Sequence, residues 1–170
     1  MPKNVGFRVL GTYFGSARSV TGEVRVNVNK EKPTVYDVMV EVRKLANKKK
    51  VNGVRGFAFD PPVVTTSSGV SLNSFTVDYE KAPKAGLDSG IYFLDESVGG
   101  NPVHVFQYYI FDKDGKQKNN NGLTRFFNEA PDDDIEDDDV IVWRQVAILE
   151  ASNGNRFVAA KMKSAMDPTS

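Results

Sequence analysis

The chain has no cysteine and only one histidine, His104. The lack of cysteine excludes disulfides, iron–sulfur clusters, cysteine-based zinc sites and a cysteine nucleophile within this chain. A single histidine excludes every metal motif that takes two histidines from one chain. Among metal sites, those built from carboxylate and carbonyl oxygens therefore deserve the closest inspection.

Long apolar runs are also missing. No segment approaches the ~20 apolar residues that a membrane-spanning helix needs, and the first residues lack the apolar core and cleavage site of a signal peptide. We therefore expect no membrane partner and, by default, a cytoplasmic location. With 170 residues, 40% of them hydrophobic and 26% charged, the composition predicts one globular domain over residues 1–170.

The chain carries no net charge, which argues against nucleic-acid binding by the molecule as a whole. The charges are nevertheless unevenly distributed along the sequence. Residues 1–60 contain twelve Lys and Arg against five Asp and Glu, whereas residues 61–170 contain ten against seventeen. Either the folded protein has two faces of opposite sign, or the charges interleave on folding; we favour the second interpretation.

Residues 33–53 contain the one convincing amphipathic helix. Thr34 and Asp37 have the spacing of a capping box, and lysines 48–50 suit the negative end of the helix dipole. Asn52 and Gly53 are expected to end the helix, because they tolerate a left-handed backbone. Six apolar residues recur at helical spacing and form one stripe: Val35, Val38, Met39, Val42, Leu45 and Ala46.

The remainder of the chain reads as strands and turns. The alternation of apolar and polar residues, together with β-branched and aromatic content, predicts strands at 5–14, 22–29, 54–60, 74–80, 91–94, 103–111, 140–150 and 156–162. Residues 15–21 are expected to be a loop, and residues 63–73 a hairpin or edge strand. Asn153-Gly154 is the strongest signal for a tight hairpin turn.

The order of hairpin, helix and strand resembles the opening of a β-grasp arrangement, in which one helix lies across a mixed sheet. We therefore predict an α+β fold. It would consist of a mixed or mostly antiparallel sheet of about seven or eight strands, with one principal helix packed on it. A curled sheet or barrel with one helix is the alternative.

Residues 103–111 and 140–150 are apolar on both faces of the predicted strand. Such strands are either central and covered on both sides, or lie at a partner interface. Five aromatic residues on them could line an apolar pocket or fill the core, and core is the default: Phe106, Tyr108, Tyr109, Phe111 and Trp143.

The acidic run at residues 132–139 has seven carboxylates in eight residues. Ca²⁺ could relieve their repulsion, because it accepts six to eight oxygen ligands, but the spacing of an EF-hand is absent. The alternative is a solvated loop that docks a basic partner. We expect a flexible acidic loop at 130–139 and a frayed C-terminus at 163–170.

Four further segments are candidates for chemistry. Residues 112–115 look like a truncated calcium loop, although a β-turn is favoured. His104 is the only conventional general base near neutral pH, but no nucleophile motif accompanies it. Residues 11–22 are glycine-rich without matching a phosphate-binding loop, and they join strand to strand. The lysines at 44 and 48–50 are explained by the end of the helix.

The sequence therefore predicts a non-catalytic binding or interaction module of unknown partner, which could form homo-oligomers. The first alternative is a small-molecule-binding protein, or a small enzyme, with an aromatic pocket. The second is a calcium-stabilised module that uses the acidic loop. No catalytic, cofactor-binding or metal-binding residue is assigned from the sequence.

Overall fold

The computed structural model describes residues 1–13, 16–19, 23–51, 54–64, 69–79, 90–95, 103–118, 126–129, 134–150, 152–154 and 156–158. These residues form one α-helix and nine β-strands. In chain order they are β1 (Lys3–Tyr13), β2 (Ser16–Ser19), β3 (Val24–Val28), α1 (Val35–Asn47), β4 (Val54–Asp60), β5 (Ser74–Tyr79), β6 (Gly90–Asp95), β7 (Val103–Phe111), β8 (Val140–Glu150) and β9 (Arg156–Val158).

Six strands form the larger sheet, which is built around β1 and β8. The first half of β1 pairs with β3 and its second half with β2, both antiparallel. Its other edge pairs with β8 in parallel, with Gly6 opposite Val140 and Leu10 opposite Arg144. Strand β8 pairs antiparallel with β7 and, through its end, with β9. Every pairing except that of β1 with β8 is therefore antiparallel.

The other three strands form a separate antiparallel sheet in the order β4-β5-β6. This sheet lies on one face of the larger sheet, which we call the first face. Aromatic rings join the two layers: the Phe7 and Phe57 ring centroids are 5.6 Å apart, and those of Phe75 and Phe106 are 5.3 Å apart. The contact between the layers is thus made mainly by apolar rings, which bury large areas per residue.

Helix α1 begins as the sequence predicts. Thr34 is the N-cap, its hydroxyl accepts a hydrogen bond from the Asp37 backbone N–H, and the Asp37 carboxylate accepts from the Thr34 N–H at 2.9 Å. The helix ends earlier than predicted: its last residue is Asn47, and Lys49 just beyond it adopts the left-handed conformation, with φ of 55°. Asn52 and Gly53, which were expected to end the helix, lie outside the described residues, and the predicted range 33–53 is too long.

The apolar stripe of α1 packs against β3 and β4. Five of the six stripe residues are buried: Val35, Val38, Met39, Val42 and Ala46. The sixth, Leu45, is only half-buried at the rim of the core. The four valines of α1 lower its intrinsic helix propensity, so this packing is what stabilises the helix.

One hydrophobic core contains residues from α1 and from both sheets, so they form a single domain. On the larger sheet, the described side chains of this core lie at odd positions 5–9 of β1, at positions 141 and 143 of β8 and at even positions 106–110 of β7, including Phe7, Trp143 and Tyr108. The opposite, second face carries a smaller buried cluster: Leu10, Tyr109, Phe111, Val140 and Val142. The middle of β7 and the first half of β8 are thus covered on both faces, as their two-sided apolar pattern predicted.

The predicted α+β class, with one helix and mostly antiparallel strands, is confirmed. The prediction of one sheet is wrong, because β4 joins β5 and β6 in a second layer. Its alternation of buried and exposed residues is typical of a strand with only one covered face. The order β1, β3, α1, β4 reproduces a β-grasp-like opening up to that point. The described strands do not close into a barrel.

Two loop predictions also change. Residues 16–19, expected to lie in a polar loop, form β2 and pair with residues 10–13 of β1. Within residues 63–73, positions 65–68 lie outside the described residues, and the others form no strand. There the chain is tied to the turn at 126–129 instead, since the Phe127 N–H donates to the Val70 carbonyl.

The helix placement predicts a large difference between two stripe residues. Val38 is fully buried, so Val38→Asp places a carboxylate in an apolar core. We expect a loss of at least about 3–5 kcal/mol in the free energy of unfolding. Leu45→Asp, at the half-buried rim, should cost about 1 kcal/mol. Urea titration followed by circular dichroism measures both, and equal midpoints would contradict this packing of α1.

Candidate functional site

The second face of the larger sheet carries four polar side chains next to its apolar cluster. Strand register arranges them in two adjacent rows across β1, β8 and β7. The first row contains Arg8, Val142 and Tyr109; the second contains Leu10, Arg144 and Gln107. Because side chains alternate between the faces of a strand, all of these residues share one face. We call Arg8, Gln107, Tyr109 and Arg144 the second-face cluster.

Three members of the second-face cluster are deeply buried. Arg144 is 1% exposed, Tyr109 3% and Gln107 7%, whereas Arg8 is only partly buried. The Tyr109 hydroxyl donates to the Gln107 amide oxygen at 3.2 Å. The Tyr109 ring also stacks on Phe111, with 6.4 Å between their centroids. The cluster therefore combines charged donors, a hydroxyl and an aromatic surface at one place.

Charges around the cluster influence its titratable groups. Burial lowers the pKa of Arg8 from its ordinary value, and the nearby Glu23 carboxylate opposes that effect. Arg8 nevertheless stays cationic, because a guanidinium does not lose its proton in proteins. Burial raises the pKa of Tyr109 above its ordinary value, and the charge of Arg144 opposes it. Tyr109 is therefore a neutral phenol at physiological pH.

A second layer of charges lies beside Arg8, at the edge of the sheet. Glu23 directly precedes β3, and its carboxylate accepts from the Arg25 guanidinium at 2.8 Å. Arg25 also contacts the Asp138 carboxylate at 3.3 Å. Chemically, this arrangement offers N–H and O–H donors to a polar ligand. None of the four members of the second-face cluster is a carboxylate or a histidine, the side chains that most often act as general bases.

The five aromatic residues that could have lined one pocket are divided between the two faces. Phe106, Tyr108 and Trp143 belong to the main core, where Tyr108 and Trp143 pack edge to face with 5.2 Å between centroids. Tyr109 and Phe111 belong to the second face. The interpretation that all five residues line one pocket is therefore wrong. His104 pairs with Ala147 in the β7–β8 register, and its side chain lies outside the described residues.

The acidic run folds back on the protein and is partly buried. Positions 130–133 lie outside the described residues, but Ile135 and Asp139 are 1% and 2% exposed. The Asp139 carboxylate accepts from the Glu136 N–H and from the Lys118 ammonium, both at 2.8 Å. We call residues 134–139 the acidic turn. The Asp139 carboxylate therefore fixes the turn internally and ties it to Lys118.

The acidic turn is paired with the basic first part of the chain. Asp138 contacts Arg25, and Asp134 contacts Lys32 at 3.5 Å. The Asp137 carboxylate accepts from the Asn4 N–H at 2.7 Å. These contacts are the interleaving of opposite charges that we favoured. Among the described residues, no three His, Asp or Glu side chains are arranged to hold a metal ion.

The other candidate segments form ordinary local structure. At 112–116 the Asp112 carboxylate accepts from the backbone N–H groups of Asp114 and Lys116, and Gly115 has φ of 78°. This is the β-turn that was favoured over a calcium loop. The glycine-rich segment is not the loop that was expected, because residues 11–13 belong to β1 and residues 16–19 form β2, which pairs with it. Lys44 pairs with Glu41 along α1 at 2.7 Å.

Sequence reasoning missed three members of the second-face cluster: Arg8, Gln107 and Arg144. A signal for them was present. Each is the polar interruption of an otherwise apolar strand, in the segments VGFRVL, VFQYYIF and VIVWRQV. What the sequence does not reveal is the register that places the three interruptions side by side, since β1 and β8 are more than a hundred residues apart.

Comparison with known proteins identifies no relative. No protein-family model, no curated protein and no solved structure matches this chain. Across the part of the chain that the structure describes, no helix is both long and apolar enough to span a membrane.

The acidic turn gives a paired prediction. Asp139→Asn keeps an oxygen for the Glu136 N–H but removes the charge that binds Lys118, so we expect a loss of about 1–3 kcal/mol. Asp138→Asn is the matched control, because Asp138 is exposed and asparagine tolerates its φ of 67°. The control should change stability by no more than about 0.5 kcal/mol. Equal losses in denaturant titrations would contradict a structural role for Asp139.

The raised pKa of Tyr109 predicts a loss of stability at alkaline pH. Above the ordinary tyrosine pKa of 10.0, the unfolded chain loses this proton before the folded protein does. This contribution to stability is therefore complete below that pH and declines as the pH rises towards the folded-state pKa. We expect melting temperatures measured between about pH 9 and pH 12 to fall less steeply in Tyr109→Phe than in the unmodified protein, because the fall begins near the ordinary tyrosine pKa of ~10.

Tyr36→Phe is the control for this experiment, because Tyr36 lies on α1 and packs against the main core, away from the second face. It should keep the alkaline slope of the unmodified protein. If both variants shared one slope, the hydroxyl of Tyr109 would not be protected by burial.

Proposed function

We propose that the protein is a non-catalytic binding module that holds a small molecule at the second-face cluster. The observation that carries the proposal is the convergence of Arg8, Gln107, Tyr109 and Arg144 on one sheet face. Small-molecule sites combine an apolar and aromatic lining with a few placed polar groups, and this face has both.

The energetics of burial support a role in binding. Moving a guanidinium from water into a protein interior carries a desolvation penalty of roughly several kcal/mol, which its interactions there must offset. The apolar neighbours Leu10, Val142 and Phe111 show that the same face can be filled without charge. Arg144 is thus a charged group placed among apolar side chains, and small-molecule sites use that combination of lining and polar groups.

The chemistry of the cluster favours binding over catalysis. Arg8 and Arg144 remain cationic, and burial keeps Tyr109 protonated. None of these groups exchanges a proton near neutral pH, as a general acid or base must. The cluster can therefore orient and neutralise a ligand, but it cannot move a proton for one.

A module that docks a protein partner receives less support from the geometry. The strands proposed as its surface, β7 and β8, are buried on both faces over their described side chains. The acidic turn, proposed as a second surface, engages Lys118, Arg25 and Lys32 within the chain. Both features therefore contribute to the fold of the chain itself.

A matched pair of tyrosines tests the proposed site. Tyr108 and Tyr109 are neighbours in β7, but their side chains lie on opposite faces of the sheet. A thermal-shift screen with a library of small polar and aromatic compounds should identify stabilising ligands. Tyr109→Phe should weaken their binding about 2- to 12-fold, the effect of one hydrogen bond of ~0.5–1.5 kcal/mol.

Tyr108→Phe should leave the affinity for the same ligands unchanged, because its ring lies in the main core. Isothermal titration calorimetry measures both variants against the wild-type protein. Ligands that respond to Tyr108→Phe instead would place the site in the main core. A screen that yields no ligand would overturn the proposed function.

A further inference from the structure

We infer that two copies of this chain associate through opposite charges, with the lysines that follow α1 bound to the acidic turn of the second copy. We call residues 48–50, which are all lysines, the lysine run. The inference goes beyond the proposed function, because it concerns another surface and a macromolecular partner. Its basis is the exposure of the lysine run, the carboxylates that the acidic turn leaves exposed, and the positions of both patches relative to α1.

The side chains of the lysine run are not needed to close α1. The helix ends in a Schellman motif, in which the Lys49 N–H donates to the Ala46 carbonyl at 2.8 Å and the Lys50 N–H donates to the Leu45 carbonyl at 3.0 Å. Backbone N–H groups therefore satisfy these carbonyls. All three lysines are exposed, and among the described residues no carboxylate pairs with them.

The backbone at Lys49 is unfavourable for a lysine. Its φ of 55° lies in the left-handed region, where the Cβ atom crowds the following carbonyl, and glycine is the usual residue at this position of a Schellman motif. Stability alone would therefore favour glycine there. Backbone strain of this kind is concentrated at functional sites, and a charge carried at a strained position supports a role for that charge.

The acidic turn keeps exposed carboxylates in addition to its contacts within the chain. The side chains of Asp134, Asp138 and Glu136 remain 51%, 60% and 71% exposed, although each has a cation nearby in its own chain. The contact of Glu136 with the Lys118 ammonium is long, at 3.8 Å. Because an ionised carboxylate accepts several hydrogen bonds, these exposed groups can accept further ammonium donors from outside the chain.

The lysine run and the acidic turn lie at opposite ends of α1. Asp134 contacts Lys32, which shortly precedes the N-cap Thr34, whereas the lysine run follows directly after the helix. The 13 helical residues span about 20 Å, so a lysine side chain does not reach the acidic turn of its own chain. A second copy with its α1 antiparallel to the first places each lysine run beside the other copy's acidic turn. The contact is then made twice about a two-fold axis, which closes the assembly as a dimer.

The outer face of α1 between the two patches has the same order of charges. Glu41 and Lys44 pair there at 2.7 Å, with side chains 33% and 57% exposed. In the antiparallel arrangement Glu41 of one copy approaches Lys44 of the other, so the two outer faces attract each other. A nucleic acid is a poorer occupant, because the chain has no net positive charge to attract a long polyanion.

Sedimentation equilibrium of the full chain measures this association directly. Exposed ion pairs contribute little individually and are screened by salt, so we expect a weak dimer at ~20 mM salt that dissociates at ~0.5 M salt. At low salt the average mass should rise from 18.8 kDa towards twice that value as the protein concentration increases. A protein that stays monomeric at low salt would overturn the inference.

Lys49→Gly separates the role of the charge from that of the fold. At high salt, where the protein is monomeric, we expect this substitution to raise the melting temperature by about 2–4 °C, because glycine relieves the left-handed strain. At low salt it should weaken self-association about 2- to 30-fold, since each dimer loses two exposed ion pairs. Unchanged self-association in this variant would contradict the assignment of Lys49 to the interface.

An exchange of charges identifies the occupant of the lysine run. Lys49→Glu and Glu136→Lys should each suppress self-association, because each brings like charges together across the interface. An equimolar mixture of the two variants should form dimers again, because the reversed charges then face each other. Glu136→Gln, which should weaken association without reversing the charge, serves if Glu136→Lys does not fold.

Glu129→Lys is the matched control for the mixture, because it has the same net charge as Glu136→Lys but changes an exposed residue outside both patches. It should not restore association with Lys49→Glu. Equal rescue by both partners would show attraction by net charge alone and would overturn the inference. A wild-type protein that stays monomeric but binds a single-stranded oligonucleotide in a Lys49-dependent way would overturn it as well, since the occupant would then be a nucleic acid.

Discussion

The parallel pairing of β1 with β8 is the contact on which the rest of the structure depends. It joins a strand near the start of the sequence to a strand near its end, and it gives β1 partners along both edges. Parallel pairing of distant segments carries a large loop-closure cost, which must be offset by other interactions. The acidic turn supplies them just ahead of β8, where the Asp138 N–H donates to the Asn4 carbonyl and the Gly6 N–H to the Asp139 carbonyl.

This pairing also explains how the uneven distribution of charge along the sequence is balanced on folding. The basic segments around β1 and β3 meet the acidic turn because both lie at the start of the parallel ladder. Exposed pairs such as Arg25 with Asp138 contribute little individually. Asp139 differs, since its burial and its two donors make it a fixed element of the turn. The acidic turn is therefore a structural element, although its sequence is typical of a solvated loop.

Local sequence patterns predicted most of the helix and strands. The arrangement of the strands depends on pairings between distant segments, which local patterns do not show. The bounds of β7 and β8, the Thr34–Asp37 capping box and the turn at Asn153-Gly154 all follow from short-range rules. The division into two sheets does not, because one-sided alternation in β4 fits an edge of either sheet. The burial of the acidic turn was not predicted for a related reason. The sequence does not show that Lys118 pairs with Asp139 and allows it to be buried. The second-face cluster could not be predicted without the β1–β8 register, because that register places its side chains next to one another.

The second-face cluster is also where packing and polarity conflict most strongly. Its apolar neighbours form a buried layer that a leucine or methionine at position 144 would complete, and replacing buried charges by apolar groups is often neutral or stabilising. A guanidinium there is a charged group in an otherwise apolar layer. Departures of this kind from local consistency are expected at functional sites. Because the Tyr109 hydroxyl and the Gln107 amide oxygen bond to each other on the same face, this charge belongs to a group of polar side chains, and that grouping is the feature on which the proposed binding site depends.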